Sequence, residues 1–237
     1  GIFNTIHTHI LPNVDDGANS VENAIEILKG AKEQGVTHIV LTPHSIVNSS
    51  TYLTKDKLHE KYQDFIKRVE SIGIKVYLGS EIYYSESAYK KLLNNELTTF
   101  NDSKYFIMEF PMHHPSDIDE VMFDAKVKGY HPILAHPERY NFLDVDDVTG
   151  IKQNALIQVN TTSILGYHGK KIKKFAFELM KKDLVDFISS DCHNTKDRNV
   201  NLEKTYKIVS KKFGKEYADK VFKVNQQRLI NEIDKQE

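Results

Sequence analysis

Seven short apolar runs recur along the chain, and the stretches between them carry apolar residues at helical spacing. Runs of this length, rich in β-branched and aromatic residues, predict buried strands, whereas i, i+3, i+4 spacing predicts amphipathic helices. The first run closes at His7 and His9 and is followed by the loop LPNVDDGANS. Ser20 then caps a predicted helix with Ala24, Ile25, Leu28 and Ala31 on one face, ended by Gly35. VTHIVLTP is the second strand. Thr54 starts a long helix through Leu58, Tyr62, Phe65, Ile66 and Val69, stopped by Gly73. IKVYLG, a short helix through Tyr89 and Leu92, and YFIMEF follow. Ser116 is the expected cap of a helix ending near Gly129, before HPILAH. A helix over 146–153 leads to ALIQVN, and HGKKIKKFAFELMKKD is helical before VDFISSD. Helices over 202–212 and 216–233 close the chain.

Regular strand–helix alternation implies a parallel sheet. Seven such units fit a closed or distorted barrel better than a doubly wound sheet. No GxGxxG follows the first strand, which argues against a dinucleotide fold. The chain shows no repeat, low-complexity tract or linker, so residues 1–237 read as one domain.

Histidines and carboxylates stand at the ends of these runs. His44 follows the second, Glu81 the third, Glu109 the fourth and His136 the fifth, while Asp191 and His193 follow the last. In a parallel barrel the strand ends of one face converge on one pocket. His7 and His9 are two apart, so on a strand both imidazoles point to the same side and can bind one cation. Taken singly, each of these residues is as well explained as a helix cap or a loop anchor; Asp16, before Gly17, could simply shape a turn. Glu81 and Glu109 resist that reading, because a lone carboxylate ending an apolar strand is costly. Agreement over six strand ends points to a metal site.

Lys+Arg is 32 and Asp+Glu 33, a net charge of -1, which gives no electrostatic case for nucleic acid or an anionic membrane. No apolar run is long enough to span a bilayer, so membrane insertion is not expected, and no signal peptide is visible. Gly1 is compatible with a trimmed start. The single cysteine, Cys192, excludes an internal disulfide and suits a reducing, cytoplasmic setting.

The motifs IHTHILPNVDDGA, TPH, GSEIYY, MEFP, AHPERY and SDCHN, in this order, resemble the polymerase-and-histidinol-phosphatase (PHP) superfamily. Within it they are similar to the bacterial protein-tyrosine phosphatases of capsule and exopolysaccharide loci, over residues 5–198. The resemblance implies a distorted (β/α)7 barrel carrying up to three divalent metals, commonly manganese; ligand chemistry alone also suits iron or zinc. It implies one metal on His7, His9, Glu81 and Asp191, and a second on Glu109 and His136, bridged by Glu81. A third would take Asp16, His44 and His193. Arg139 and Arg198 fall at the family's phosphate-binding arginines, where a guanidinium fork grips two oxygens. The alternative for each arginine is a pair with a nearby carboxylate, Glu138 or Asp197. The implied reaction is in-line attack of activated water on phosphotyrosine, with no covalent enzyme intermediate. The implied substrate is the tyrosine-rich tail of a bacterial tyrosine kinase.

Rival readings attach to particular residues. Cys192 and Arg198 make C-x5-R, the spacing of cysteine-dependent phosphatases, but HNTKD has no glycine to wrap a phosphate, and Cys192 between two ligands would point the other way. Histidinol phosphate is the alternative substrate within the superfamily. A weakened, regulatory domain is the alternative class, motivated by Thr5, which replaces the Asp usual before the His-x-His pair, and by Ser45 after His44. His113 and His114 read by default as solvated loop histidines, the other reading being the pocket rim, and Tyr83 and Tyr84 read as packing residues or as a platform for a substrate phenyl ring. Lys170, Lys171, Lys173 and Lys174 read by default as a solvated helix face; the other reading is contact with an acidic, phosphorylated tail. Asn160 is placed to hydrogen-bond the site.

Overall fold

The computed structural model describes residues 3–195 and 201–235. Within them the chain forms strands β1 (Phe3–Thr5), β2 (Val36–Leu41), β3 (His44–Ser45), β4 (Lys75–Leu78), β5 (Glu81–Tyr83), β6 (Tyr105–Glu109), β7 (His131–Ala135), β8 (Leu156–Asn160) and β9 (Phe187–Ser189). Every pairing is parallel, in a three-stranded sheet ordered β1-β2-β4 and a six-stranded sheet ordered β3-β5-β6-β7-β8-β9.

Two of the seven expected strands end in a break and resume beyond it as a short further strand, and the breaks carry the chain from the first sheet to the second. Between β2 and β3, Pro43 has no N–H for a ladder, and Thr42 instead exchanges hydrogen bonds with Thr8. Between β4 and β5 stands Gly79. A Cβ there would lie 2.6 Å from the Phe100 ring, so only glycine lets the chain pass. A parallel bridge between Thr8 and Cys192 links the continuations of β1 and β9, with His9 N–H donating to the Cys192 carbonyl at 2.7 Å.

The helices are α1 (Val21–Glu33), α2 (Lys55–Val69), α3 (Glu86–Leu93), α4 (Ile118–Val127), α5 (Val145–Ile151), α6 (Thr161–Ile164), α7 (Lys170–Lys181), α8 (Leu202–Phe213), α9 (Lys215–Asp219) and α10 (Asn225–Asp234). Ser20 and Thr54 cap α1 and α2 as expected, each accepting a backbone N–H three residues on. The cap of α4 is Asp117, not Ser116: its carboxylate accepts from Glu120 N–H. Asp144 and Asp147 form a reciprocal capping box on α5. The predicted last helix is interrupted by a π-helical turn, Lys220–Val224, between α9 and α10. No helix among the described residues is long and apolar enough to cross a membrane.

Alternation along the strands divides the core in two. Ile39, Leu41, Phe106, Met108, Leu134, Ile157, Val159 and Ile188 pack outward under the helices. Their neighbours Val40, Ile107, Ile133, Ala135 and Phe187 face inward, with Ile6, Tyr77 and Phe100. Leu229, Ile230 and Ile233 of α10 close this inner cluster from one side. Two residues further along each strand the same inner face turns polar: Ile107 gives way to Glu109, Leu156 to Gln158 and Asn160, and Phe187 to Ser189 and Asp191.

Candidate metal centre

The polar end of the inner face gathers residues from seven places in the chain. Glu81, at the start of β5, is buried at its middle and pairs in register with His44 of β3. Its carboxylate meets His7 Nε2 at 2.6 Å, His44 Nδ1 at 2.8 Å, His9 Nε2 at 3.5 Å and His136 Nε2 at 3.6 Å. Asp191 Oδ1 lies 3.2 Å from His7 Nε2 and 3.0 Å from His9 Nε2. Glu109, at the end of β6, lies 2.9 Å from His136 Nε2. Asp16, largely exposed, reaches His44 Nε2 at 3.3 Å and His193 Nε2 at 3.2 Å.

Three groups of donor atoms come within 4.8 Å of one another: His7, His9, Glu81 and Asp191; His9, Asp16, His44 and His193; and His44, Glu81 and Glu109. The first has the membership read from the motifs. The second adds His9 to the expected set, and the third pairs His44 with the two glutamates, while His136 sits against both through the contacts above. Nine sequence-predicted positions are thus brought together. Arg139 stands one turn beyond His136, its N–H donating to the His136 carbonyl at 3.1 Å. Arg198, with Asp197, lies outside the described residues.

Several of these atoms have no hydrogen-bond partner although they are buried: Nε2 of His7 and His9, Nδ1 of His44, both Glu81 oxygens and Asp191 Oδ1. Buried polar atoms are rarely left so. These atoms converge on one another without the directions of hydrogen bonds, the arrangement a cation needs.

Neighbouring groups aim them. The His136 N–H donates to Gln158 Oε1, so that oxygen is an acceptor, and His7 Nδ1–H donates to it at 3.0 Å, which turns Nε2 toward Glu81 and Asp191. Gln158 Nε2 donates to Asn160 Oδ1, and Asn160 Nδ2 donates to Asp191 Oδ2 at 3.0 Å. His9 Nδ1–H donates to Asp15 at 2.7 Å, and Asp15 also accepts from Gly17 and His44 N–H. His193 Nδ1–H donates to the Asp191 carbonyl. Such partners set ring tautomer and orientation in metal sites. Asp15 and Gln158 went unread in the sequence. A glutamine two residues before Asn160 in an otherwise apolar strand was the available signal; Asp15 was masked by its neighbour in DDG.

Local backbone adds to the aim. His136 and Asp191 are left-handed, at φ 31° and 45°, strained for residues with a Cβ. A Cβ on Gly17 would fall 2.0 Å from the His9 carbonyl oxygen, so the DDG loop folds directly on His9 only because residue 17 lacks one.

Charge is balanced by proximity. Burial opposes ionisation of Glu81 and Asp191, yet the histidines around them hold both well below the usual carboxylate range. Burial likewise favours neutral histidine, but the carboxylates win: His9 is raised to about 9, His136 to about 10 and His44 to about 12. Glu138 is the exception, its carboxyl pushed up by burial. It accepts the Asn160 N–H rather than pairing with Arg139, which has no carboxylate in reach among the described residues.

A cavity of about 710 Å³ reaches the centre, bordered by Asp15, Asp16 and His44; a second, of about 580 Å³, is bordered by His113, Glu138, Arg139 and Asn141. Tyr84 stacks on Phe110 at 4.9 Å, as a packing residue. Thr5 is buried against Ser190, 3.4 Å between hydroxyls.

Residues 3–231 match the family described as capsular polysaccharide synthesis, CpsB/CapC. The chain is 34% identical over 218 residues to tyrosine-protein phosphatase YwqE of Bacillus subtilis (strain 168), over 89% of this chain and 85% of that protein. It matches, at TM-score 0.84 and 32% identity, a crystal structure from work on YwqE of Bacillus subtilis and CpsB of Streptococcus pneumoniae, described as unique metal-dependent tyrosine phosphatases; 91% of this chain and 89% of that one are covered. The phosphotriesterase homology protein of Escherichia coli, with phosphate in its active site, aligns at TM-score 0.63 and 12% identity over 95% of this chain and 97% of its own, a likeness of fold.

Proposed function

This chain belongs to the CpsB/CapC capsular polysaccharide synthesis family, and from that premise we propose that it is a metal-dependent protein-tyrosine phosphatase. The observation that carries the reading is the cluster of converging buried imidazole and carboxylate atoms that make no hydrogen bond. That donor set fits divalent cations, with manganese first and iron or zinc compatible. His7, His9, Glu81 and Asp191 would hold one, Glu81, Glu109 and His136 a second, and Asp16, His44 and His193 a third. Bound cations would supply Lewis acidity and lower the pKa of water.

The chain's own groups do the rest. Gln158, Asn160 and Asp15 keep the donor atoms aimed. Arg139 has no carboxylate to neutralise it among the described residues, so its fork is available to two phosphoryl oxygens and to the charge that builds on them. Arg198 takes the matching role by its place in the motif. Tyrosine leaves as a phenolate that needs little protonation, so no general acid is assigned. The Thr8–Cys192 bridge and the two sheet-changing breaks support reading the sheets as a distorted (β/α)7 barrel, and a family match over 3–231 supports one catalytic domain. The substrate we infer is the phosphorylated tail of a tyrosine kinase that governs capsule or exopolysaccharide synthesis, met in the cytoplasm. Phosphate release from a phosphotyrosine peptide by chelator-stripped protein, before and after manganese, tests the reading. Release only with metal is expected; equal release without it would overturn the metal assignment.

A further inference from the structure

Away from the metal centre, α7 and α8 form a groove of about 700 Å³. Phe177 and the exposed Ile208 give it an apolar floor. Lys170, Lys173 and Lys174 rim it from α7, and Lys211 and Lys212 from α8. No carboxylate lines it, and none of these five ammonium groups has an ion-pair or hydrogen-bond partner among the described residues. Five uncompensated cations around one groove stand out in a chain whose net charge is -1.

The groove also adjoins the Arg139 cavity. Lys170 and Lys174 border both it and the cavity that contains Arg139. A polypeptide with its phosphotyrosine at Arg139 can therefore continue from that cavity, which Glu138, Asp144 and Glu178 also line, onto the lysines of α7. From Lys170 to Phe177 is about 10 Å of helix, roughly three residues of extended chain. The start of α7 is itself set for an anion. Helices α1 to α5 each place an acidic residue in the first turn, as the helix dipole favours, whereas α7 has none, opens on Lys170 and Lys171, and has no side-chain cap.

We propose that the α7–α8 groove docks an acidic segment of the substrate protein lying a few residues from the phosphotyrosine, so that specificity comes from flanking charge as well as from the phosphate. This rests on the phosphatase reading and names the class of substrate it selects. Charge at such a rim acts mainly on encounter and apparent affinity, and salt weakens it.

The test compares manganese-loaded wild type with the triple variant Lys173→Glu/Lys211→Glu/Lys212→Glu, none of which borders the Arg139 cavity. Substrates are phosphotyrosine peptides with an acidic run on either side, neutral twins, and p-nitrophenyl phosphate. Wild type is expected to prefer one acidic peptide by about tenfold in kcat/KM, through KM, with the preference fading in about 0.5 M salt. The glutamate variant loses it, the triple arginine variant keeps it, and p-nitrophenyl phosphate turnover stays within about twofold. An absent preference in wild type, or one that survives in the glutamate variant, overturns the proposal. If wild type hydrolyses nothing, the phosphatase reading has failed, and fluorescence anisotropy with the acidic peptide still decides the groove: equal binding by wild type and variant, or none by either, overturns it. Charge-dependent binding to phosphatidylglycerol vesicles without any peptide preference would assign the groove to a membrane and likewise overturn it.

Discussion

The two ends of one inner strand face carry opposite chemistry. At one end Ile107, Ile133 and Phe187 meet Leu229, Ile230 and Ile233 of α10 and shut out water. At the other, Glu109, Gln158, Asn160 and Asp191 continue the same strands or their extensions and meet a ring of histidines. The backbone is the same parallel ladder in both; the side chains decide. The apolar end is satisfied by contact alone, about 1.5–3 kcal/mol for each fully buried large side chain. The polar end holds buried atoms with no hydrogen-bond partner and two left-handed residues, features of a site rather than of a core. One end therefore sets stability and the other sets function, and substitutions at each should separate the two.

The largest effect is expected at the polar end. Asp191→Ala removes the oxygen that faces both His7 and His9. Turnover of a phosphotyrosine peptide should fall by about a thousandfold or more, beyond the roughly 10–100-fold typical of supporting groups, while the circular dichroism spectrum is unchanged. Near-normal turnover by this variant, with metal present, would remove Asp191 from the centre. The matching change at the apolar end is Ile230→Ala. It leaves a cavity where α10 closes the cluster, and should lower unfolding free energy by about 2–5 kcal/mol. Denaturant melts would show that loss, and kcat measured well below the transition should stay the same. A selective fall in kcat without a shift in midpoint would mean the two ends are not separable.

A smaller effect tests what lies between them. Gln158 is on β8, two residues beyond Leu156 of the apolar end, and supports His7 and the His136 backbone together. Gln158→Leu keeps the volume and removes the acceptor. Manganese affinity, followed by calorimetry, should weaken about 10–100-fold. Unchanged affinity would show that His7 is aimed by packing alone.

How much of this contrast was legible in the sequence follows from its physics. Period-two burial writes itself as apolar runs, and ligand types at run ends stand out because a carboxylate is expensive there; both are local signals. The breaks at Thr42–Pro43 and Gly79–Ser80 were not legible, because VTHIVLTP and IKVYLG read as continuous strands and the Gly79 constraint comes from Phe100, distant in sequence. Nor was the role of α10, whose apolar stripe does not say which face of a sheet it covers. Asp117 displaced Ser116 as the α4 cap because either residue offers an oxygen to an N–H, and only the backbone angle selects one.

The smallest effect falls on Cys192, where the inner and outer faces meet. Asp191 and His193 turn to the centre, while Cys192 between them is buried in the outer apolar cluster, on a segment where Asp191 is left-handed rather than extended. The turn that brings its neighbours to the histidine and carboxylate cluster takes its sulfur away from it. Cys192→Ser should therefore leave phosphotyrosine turnover within about twofold, and cost on the order of 1 kcal/mol in stability for the buried hydroxyl. A thiolate nucleophile makes the opposite demand: the serine variant would be dead, and wild type would stay active in chelator. That pair of results would invert the assignment of the two faces, because it would require the catalytic group to lie on the side that the structure packs with hydrocarbon.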